Sequence, residues 1–144
     1  MDVQPIVHRL RERLADLQLR EIDAAAGLDA AMRGNRASPA LYVIPLAERA
    51  TQIPQTGPVD HLEHRMFGLV MVLDTLDFSR DTGSVVNLET LRMRAKRALV
   101  GWAMDDETGE PVTYQGGELL DFPGDGHLWW SDEFVMTGYF RSEE

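Results

Sequence analysis

Histidine and acidic side chains crowd together once in this chain, at Asp60, His61, Glu63 and His64, with His127 available from a later turn. Imidazole and carboxylate are common ligands of catalytic zinc, which takes three protein ligands and keeps a fourth position open. One reading is therefore a small cytoplasmic metal-dependent enzyme using His61, His64 and His127. The spacing argues against it, because residues three apart on a strand project to opposite faces and cannot converge. Polar residues at the start of a strand explain the group equally well. His8 flanks the apolar stripe of the first helical segment and reads as a boundary residue, not a base.

The other reactive residue types fare no better. Asp132 and Glu133 are neighbours on a strand-like segment, so they face opposite ways and cannot act as a carboxylate pair. Asp105, Asp106 and Glu107 lack the alternating ligands and distal glutamate of a calcium loop. Gly116 and Gly117 sit inside a strand pattern, without the strand-to-helix order of a phosphate loop, and point to a bulge or a close backbone approach. No Ser-His-Asp or Cys-His arrangement can be assembled. The expectation is a non-enzyme with no catalytic residue, no cofactor and no metal.

The elements that would carry these residues can be read from periodicity. Val3, Ile6, Val7, Leu10, Leu14 and Leu17 fall at helical spacing, with Pro5 in the first turn, where its missing donor costs little. A short strand at residues 19–22 precedes an alanine-rich helix at 24–32, stopped by Gly34 and Asn35. Residues 41–46 have the length and Tyr-Val-Ile content of a buried strand. Residues 47–60 hold no period and contain Pro54, Gly57 and Pro58, which predicts a long loop; such loops are commonly functional. A long strand follows at 62–74, its second half apolar on both faces. Residues 79–84 form another loop. Asn87 is placed to cap a third helix whose stripe is Leu88, Leu91, Ala95, Ala98, Leu99 and Trp102. Two last strands, at 112–122 and 128–140, are joined by the turn Pro123-Gly124-Asp125-Gly126. This order predicts an α+β fold: a small mixed or antiparallel sheet of about four to five strands, with helices mainly on one face. A single domain spans residues 1–144, and the acidic end Ser142-Glu143-Glu144 is expected to fray.

Composition narrows the function classes. Fourteen basic residues against twenty-four acidic ones give a formal net charge of −10, which disfavours wrapping DNA through its phosphates. Lys96 is the single lysine, so the positive charge is almost all arginine, suited to fixed ion pairs. The absence of cysteine excludes disulfides and thiolate metal sites. No apolar run is long enough to span a bilayer, and the N-terminus lacks a secretory pattern, so no membrane partner is expected. Interaction features are better supported. Trp129 and Trp130 are consecutive on a strand, so one should face the core and the other the opposite side; the two could be divided between core and subunit interface, or both simply covered. Arg92, Arg94, Lys96 and Arg97 crowd the third helix, either as a solvated face or as a surface for an acidic neighbour. Gln52 and Gln55, in the expected loop, complete the interface candidates with Trp129, Trp130, Arg92, Arg94 and Arg97.

Taken in order, these segments resemble the tail terminator (tail completion) proteins of long-tailed bacteriophages. The resemblance runs through Ile6-Val7-His8-Arg9-Leu10, Leu41-Tyr42-Val43-Ile44-Pro45-Leu46-Ala47-Glu48, Ala98-Leu99-Val100-Gly101-Trp102, Gly117-Glu118-Leu119-Leu120 and the distinctive Leu128-Trp129-Trp130-Ser131-Asp132-Glu133-Phe134. It implies a structural virion protein that is assembled in the host cytoplasm and works at the head-proximal end of the tail. Such a protein forms a ring with itself, typically a hexamer, that caps the tail tube protein, stops tube polymerisation and offers a docking surface to the head–tail connector and neck. The sheath protein becomes a further partner if the tail contracts. An acidic ring would let DNA pass through its lumen without specific binding. A connector or stopper protein of the neck is the alternative of the same class.

Overall fold

A computed structural model describes residues 1–33, 38–54, 60–74, 87–104, 110–121 and 126–141. The chain opens with α1 (Gln4–Arg13), which has Pro in its first turn and buries Ile6, Val7 and Leu10. A short 3₁₀ turn (Ala15–Leu17) ends at Gln18, whose left-handed φ of 54° swings the chain into β1 (Glu21–Ala24). Then come α2 (Leu28–Arg33), β2 (Ala40–Gln52) and β3 (Asp60–Asp74). The remaining elements are α3 (Leu88–Leu99), β4 (Thr113–Asp121) and β5 (His127–Arg141). As expected, Asn87 caps α3: its side chain accepts from the Thr90 amide at 2.8 Å, satisfying one of the orphan donors of the first turn.

The strands form one mixed sheet in the order β1-β2-β3-β5-β4. β1 runs parallel to β2, and every other neighbouring pair is antiparallel. The α+β expectation and its strand count are therefore met. Alternation along the strands divides the core in two. On one face Leu41, Val43, Phe67, Leu69, Met71, Leu73, Leu128, Phe134 and Met136 pack under the stripes of α1 and α3. The Phe67 and Phe134 rings stack there at 5.4 Å. On the other face Tyr42, Ile44, Val70, Val72 and Trp129 meet Ala31 of the short α2. The double-sided apolar run of β3 is thus buried on both sides, one side per helical layer.

The main correction concerns the expected loop. Residues 47–52, read as the start of a loop, continue β2 and pair residue by residue with β3, from Ala47 opposite Met66 to Gln52 opposite His61. The hairpin closes where the Ile53 amide donates to the Asp60 carbonyl at 3.2 Å. A strand held by backbone pairing and wet on both faces has no apolar period to betray it. Residues 55–59, including Gln55, lie outside the described residues, as do Gly34 and Asn35, residues 79–84, Asp105, Asp106 and Glu107, the turn residues Pro123, Gly124 and Asp125, and the tail at 142–144. A smaller correction concerns α3, which ends at Leu99; Trp102 packs against the core from just beyond the helix.

The sheet is much longer than its helical cover. In β2 residues 40–44 are buried and residues 46–52 exposed. β1 pairs only with residues 40–43 of β2, and β4 only with residues 129–135 of β5. Beyond those points β2, β3 and β5 continue as a three-stranded extension. At roughly 3.3 Å per residue, its six or so residues reach about 20 Å past the core.

Candidate assembly surface

The three histidines do not converge. His61 is on the helical face, bonded to Glu63 at 3.0 Å and stacked on Phe140 at 4.9 Å. His64 is on the opposite face, between the hydroxyls of Thr51 (3.3 Å) and Thr137 (3.2 Å). His127 pairs with Asp74 at the far end of β3 and β5. Among the described residues no group of three or more metal-ligand side chains is present. The geometry does not bring His61, His64 and His127 together as one metal site.

Asp132 and Glu133 do separate across the sheet. Asp132 is fully buried on the helical face and accepts from Arg92 Nε and Nη2 (3.0 and 3.1 Å), Tyr114 Oη (2.9 Å) and Trp130 Nε1 (3.0 Å). A buried carboxylate is tolerable only when so paired and hydrogen-bonded. Asp132 in turn holds the Arg92 guanidinium above its ordinary pKa. Burial, then the bond to Asp132, pushes the Tyr114 hydroxyl up. The Arg92 guanidinium lies 4.5 Å from the Trp130 ring centre. Gly117 is required beside this cluster, since a Cβ there would sit 2.1 Å from Asp132 Oδ1. The expected bulge is also present, between Tyr114 and Gly116.

These contacts place the interface candidates. Trp129 is buried in the second core, while Trp130 is half-buried with its indole N–H committed to Asp132. Arg92 is turned inward on the same acid. Arg94 grips Asp16 with two bonds of 2.9 and 2.6 Å and donates to the Arg13 carbonyl, tying α3 to the end of α1. Arg97 lines an open cleft of about 190 Å³ together with Arg13, Arg94 and Ala98. Gln52 stands exposed at the outer end of β2. The candidates therefore split: Trp129, Trp130 and Arg92 serve the chain's own packing, whereas Arg97 and Gln52 face outward.

The extension is the part of the molecule with least internal use. On its helical face Glu63 pairs with His61 and with Arg65 at 2.9 Å, and these two partners hold its carboxyl below the usual range. Tyr139 donates to Asp60 at 2.5 Å near the tip. Leu46 and Phe140 remain large, apolar and exposed, at 42% and 49%. None of these groups is arranged as a nucleophile with its base or as an oxyanion cradle. What the extension offers is surface and open strand edges.

The family model described as phage tail terminator protein matches residues 1–143. The chain belongs to the phage tail terminator family. It is therefore a structural component of a phage tail, and the tail of the virion is its place. A chain in the solved structure titled "Virion of native gene transfer agent (GTA) particle" is similar over 92% of this chain and 90% of that one, at 11% identity and a TM-score of 0.47. No curated protein sequence matches.

Proposed function

We propose that the chain closes into a homo-oligomeric ring, a hexamer by family resemblance, on the head-proximal end of the completed tail tube. The ring stops further addition of tube protein and presents its other face to the neck. The observation that carries this reading is the extension: three long strands leave the core together and, apart from buried Asp60 and Met136 and the Met1 amine paired with Glu48 at 3.4 Å, much of their surface stays open. A monomer gains little from ordering those residues against chain entropy of about 1–2 kcal/mol each. A ring needs a heterologous contact that closes by rotation and two unlike faces for unlike partners. The outer end of the hairpin, near Gln52, is the proposed contact to the tube or neck, and the Arg94 and Arg97 face of α3 a second contact for an acidic neighbour.

Removing the gene tests the function directly. Phage lacking it should make overlong tails without heads in negative-stain images, and supplying the wild-type chain should restore the normal length. Tails of normal length in the knockout would sink the capping role.

A further inference from the structure

We infer that the bare half of the sheet is continued by a second copy of this chain, the free edge of β5 at residues 136–141 running parallel to the free edge of β2 at residues 47–52 in the next copy. This rests on the ring reading above and names the contact that would close the ring.

Among the described residues, no strand lies beside the outward edge of residues 47–52 or of residues 136–141. Edge strands expose a row of backbone donors and acceptors, and monomeric proteins blunt them with bulges, proline, lysine or brevity. The other edges of this sheet are blunted in that way. β1 has four residues, and β4 carries two register irregularities, at Tyr114/Gly116 and Leu119/Asp121. The two edges of the extension are blunted less: both pair one-to-one with β3, neither stretch contains lysine or proline, and their charge is limited to Glu48, Arg49 and Arg141. The single bulge of β2, between Pro45 and Ala47, falls where the extension leaves the core.

Strand direction selects the partner edge. β2 and β5 each run antiparallel to β3, so they run parallel to one another. A rotated copy that continues the sheet therefore sets β5 of one chain beside β2 of the next, in parallel, with both edges used up at every step. That contact is heterologous and can close a ring. Pairing β2 with β2, or β5 with β5, would be twofold and would end at a dimer. The neighbour would also lie against Leu46 on one edge and Phe140 on the other, the two large apolar side chains that the extension leaves exposed.

The chain has no cysteine of its own, which makes the contact directly readable. Arg49, His64 and Thr137 form one row across β2, β3 and β5. Within a copy, residues 49 and 137 are therefore separated by two strand spacings, about 10 Å, beyond the roughly 7 Å limit of a disulfide. Arg49→Cys and Thr137→Cys chains would be supplied together to the knockout phage, and the isolated tails oxidised and run on a non-reducing gel. Val135→Cys and Tyr139→Cys would replace Thr137→Cys in parallel samples to cover a stagger between copies. A covalent dimer containing one chain of each kind should form in at least one mixture and be absent when either variant is supplied alone. Dimers of equal yield in the single-variant tails would replace the parallel contact with a twofold one and overturn it. Tails carrying rings but no mixed dimer in any of the three pairings would overturn the edge contact and leave the ring reading standing. Tails without rings would end both.

Discussion

The two halves of the sheet use the same strands for different ends. Around residues 67–73 of β3 every side chain is buried, helices lie on both faces, and a charged intruder, Asp132, is held by three donor residues. Around residues 61–66 of the same strand every residue is only partly buried, and the contacts are hydrogen bonds and ion pairs among neighbours on the sheet. Folding free energy must come almost wholly from the first half, because apolar burial is its dominant favourable term. The second half adds little to a lone chain. Substitutions in the covered half should therefore act on stability, and those in the extension on assembly.

The largest effect belongs to the shared aromatic pair. Phe134 is fully buried, stacked on Phe67 and edge-on to Tyr114 at 5.4 Å. Phe134→Ala should cost about 3–5 kcal/mol, the usual range for deleting a buried aromatic ring, seen as a lower denaturation midpoint with unchanged slope. A loss below about 1 kcal/mol, the scale of a surface change, would mean that the covered half does not carry the fold.

A smaller loss is expected one strand away. In Gly117→Ala the new methyl would meet Asp132 Oδ1 at 2.1 Å, Tyr114 Oη at 2.9 Å and Trp130 Nε1 at 3.0 Å. The carboxylate cannot retreat without stretching its bonds to Arg92, Tyr114 and Trp130. Overpacking of this kind costs about 1–3 kcal/mol. Trp130 fluorescence should shift with it, since the indole N–H shares the displaced acceptor. An unaltered Tm and emission maximum would show that the cluster is loosely held.

What was legible in the sequence follows the same division. The covered half announces itself: the stripes of α1 and α3, the apolar run of β3 and the Asn87 cap are all signals of burial or of a helix end. The Asp132 site was half-legible. Trp130, Asp132, Phe134 and Met136 alternate onto one face, which placed an acid on an apolar surface, yet its partner Arg92 lies forty positions away and only folding brings them together. The extension was the least legible part. Ala47, Glu48, Arg49, Ala50, Thr51 and Gln52 carry no alternation because neither face is buried, so a strand made by backbone pairing looked like a loop. The basic run of α3 misled in another way. Its arginines share a helix but not a role, since Arg92 turns inward, Arg94 binds Asp16 and Arg97 lines an open cleft.

The smallest effect tests whether the extension has any internal stability worth the name. Glu63 has its pKa lowered by His61 first and Arg65 second. A carboxyl with a depressed folded-state pKa stabilises the fold above its unfolded value and loses that contribution as pH falls through the folded one. With its side chain about one-fifth exposed, Glu63 belongs with surface pairs, worth about 0–1 kcal/mol at neutral pH. Glu63→Gln should accordingly lower the Tm slightly at pH 7, and the gap to wild type should close as the pH is taken below the ordinary glutamate range. A gap that stays constant down to pH 3 would assign the loss to packing. A gap several times larger would erase the contrast between the halves, because the extension would then be contributing to the fold of the single chain and would not be waiting for a neighbour to complete it.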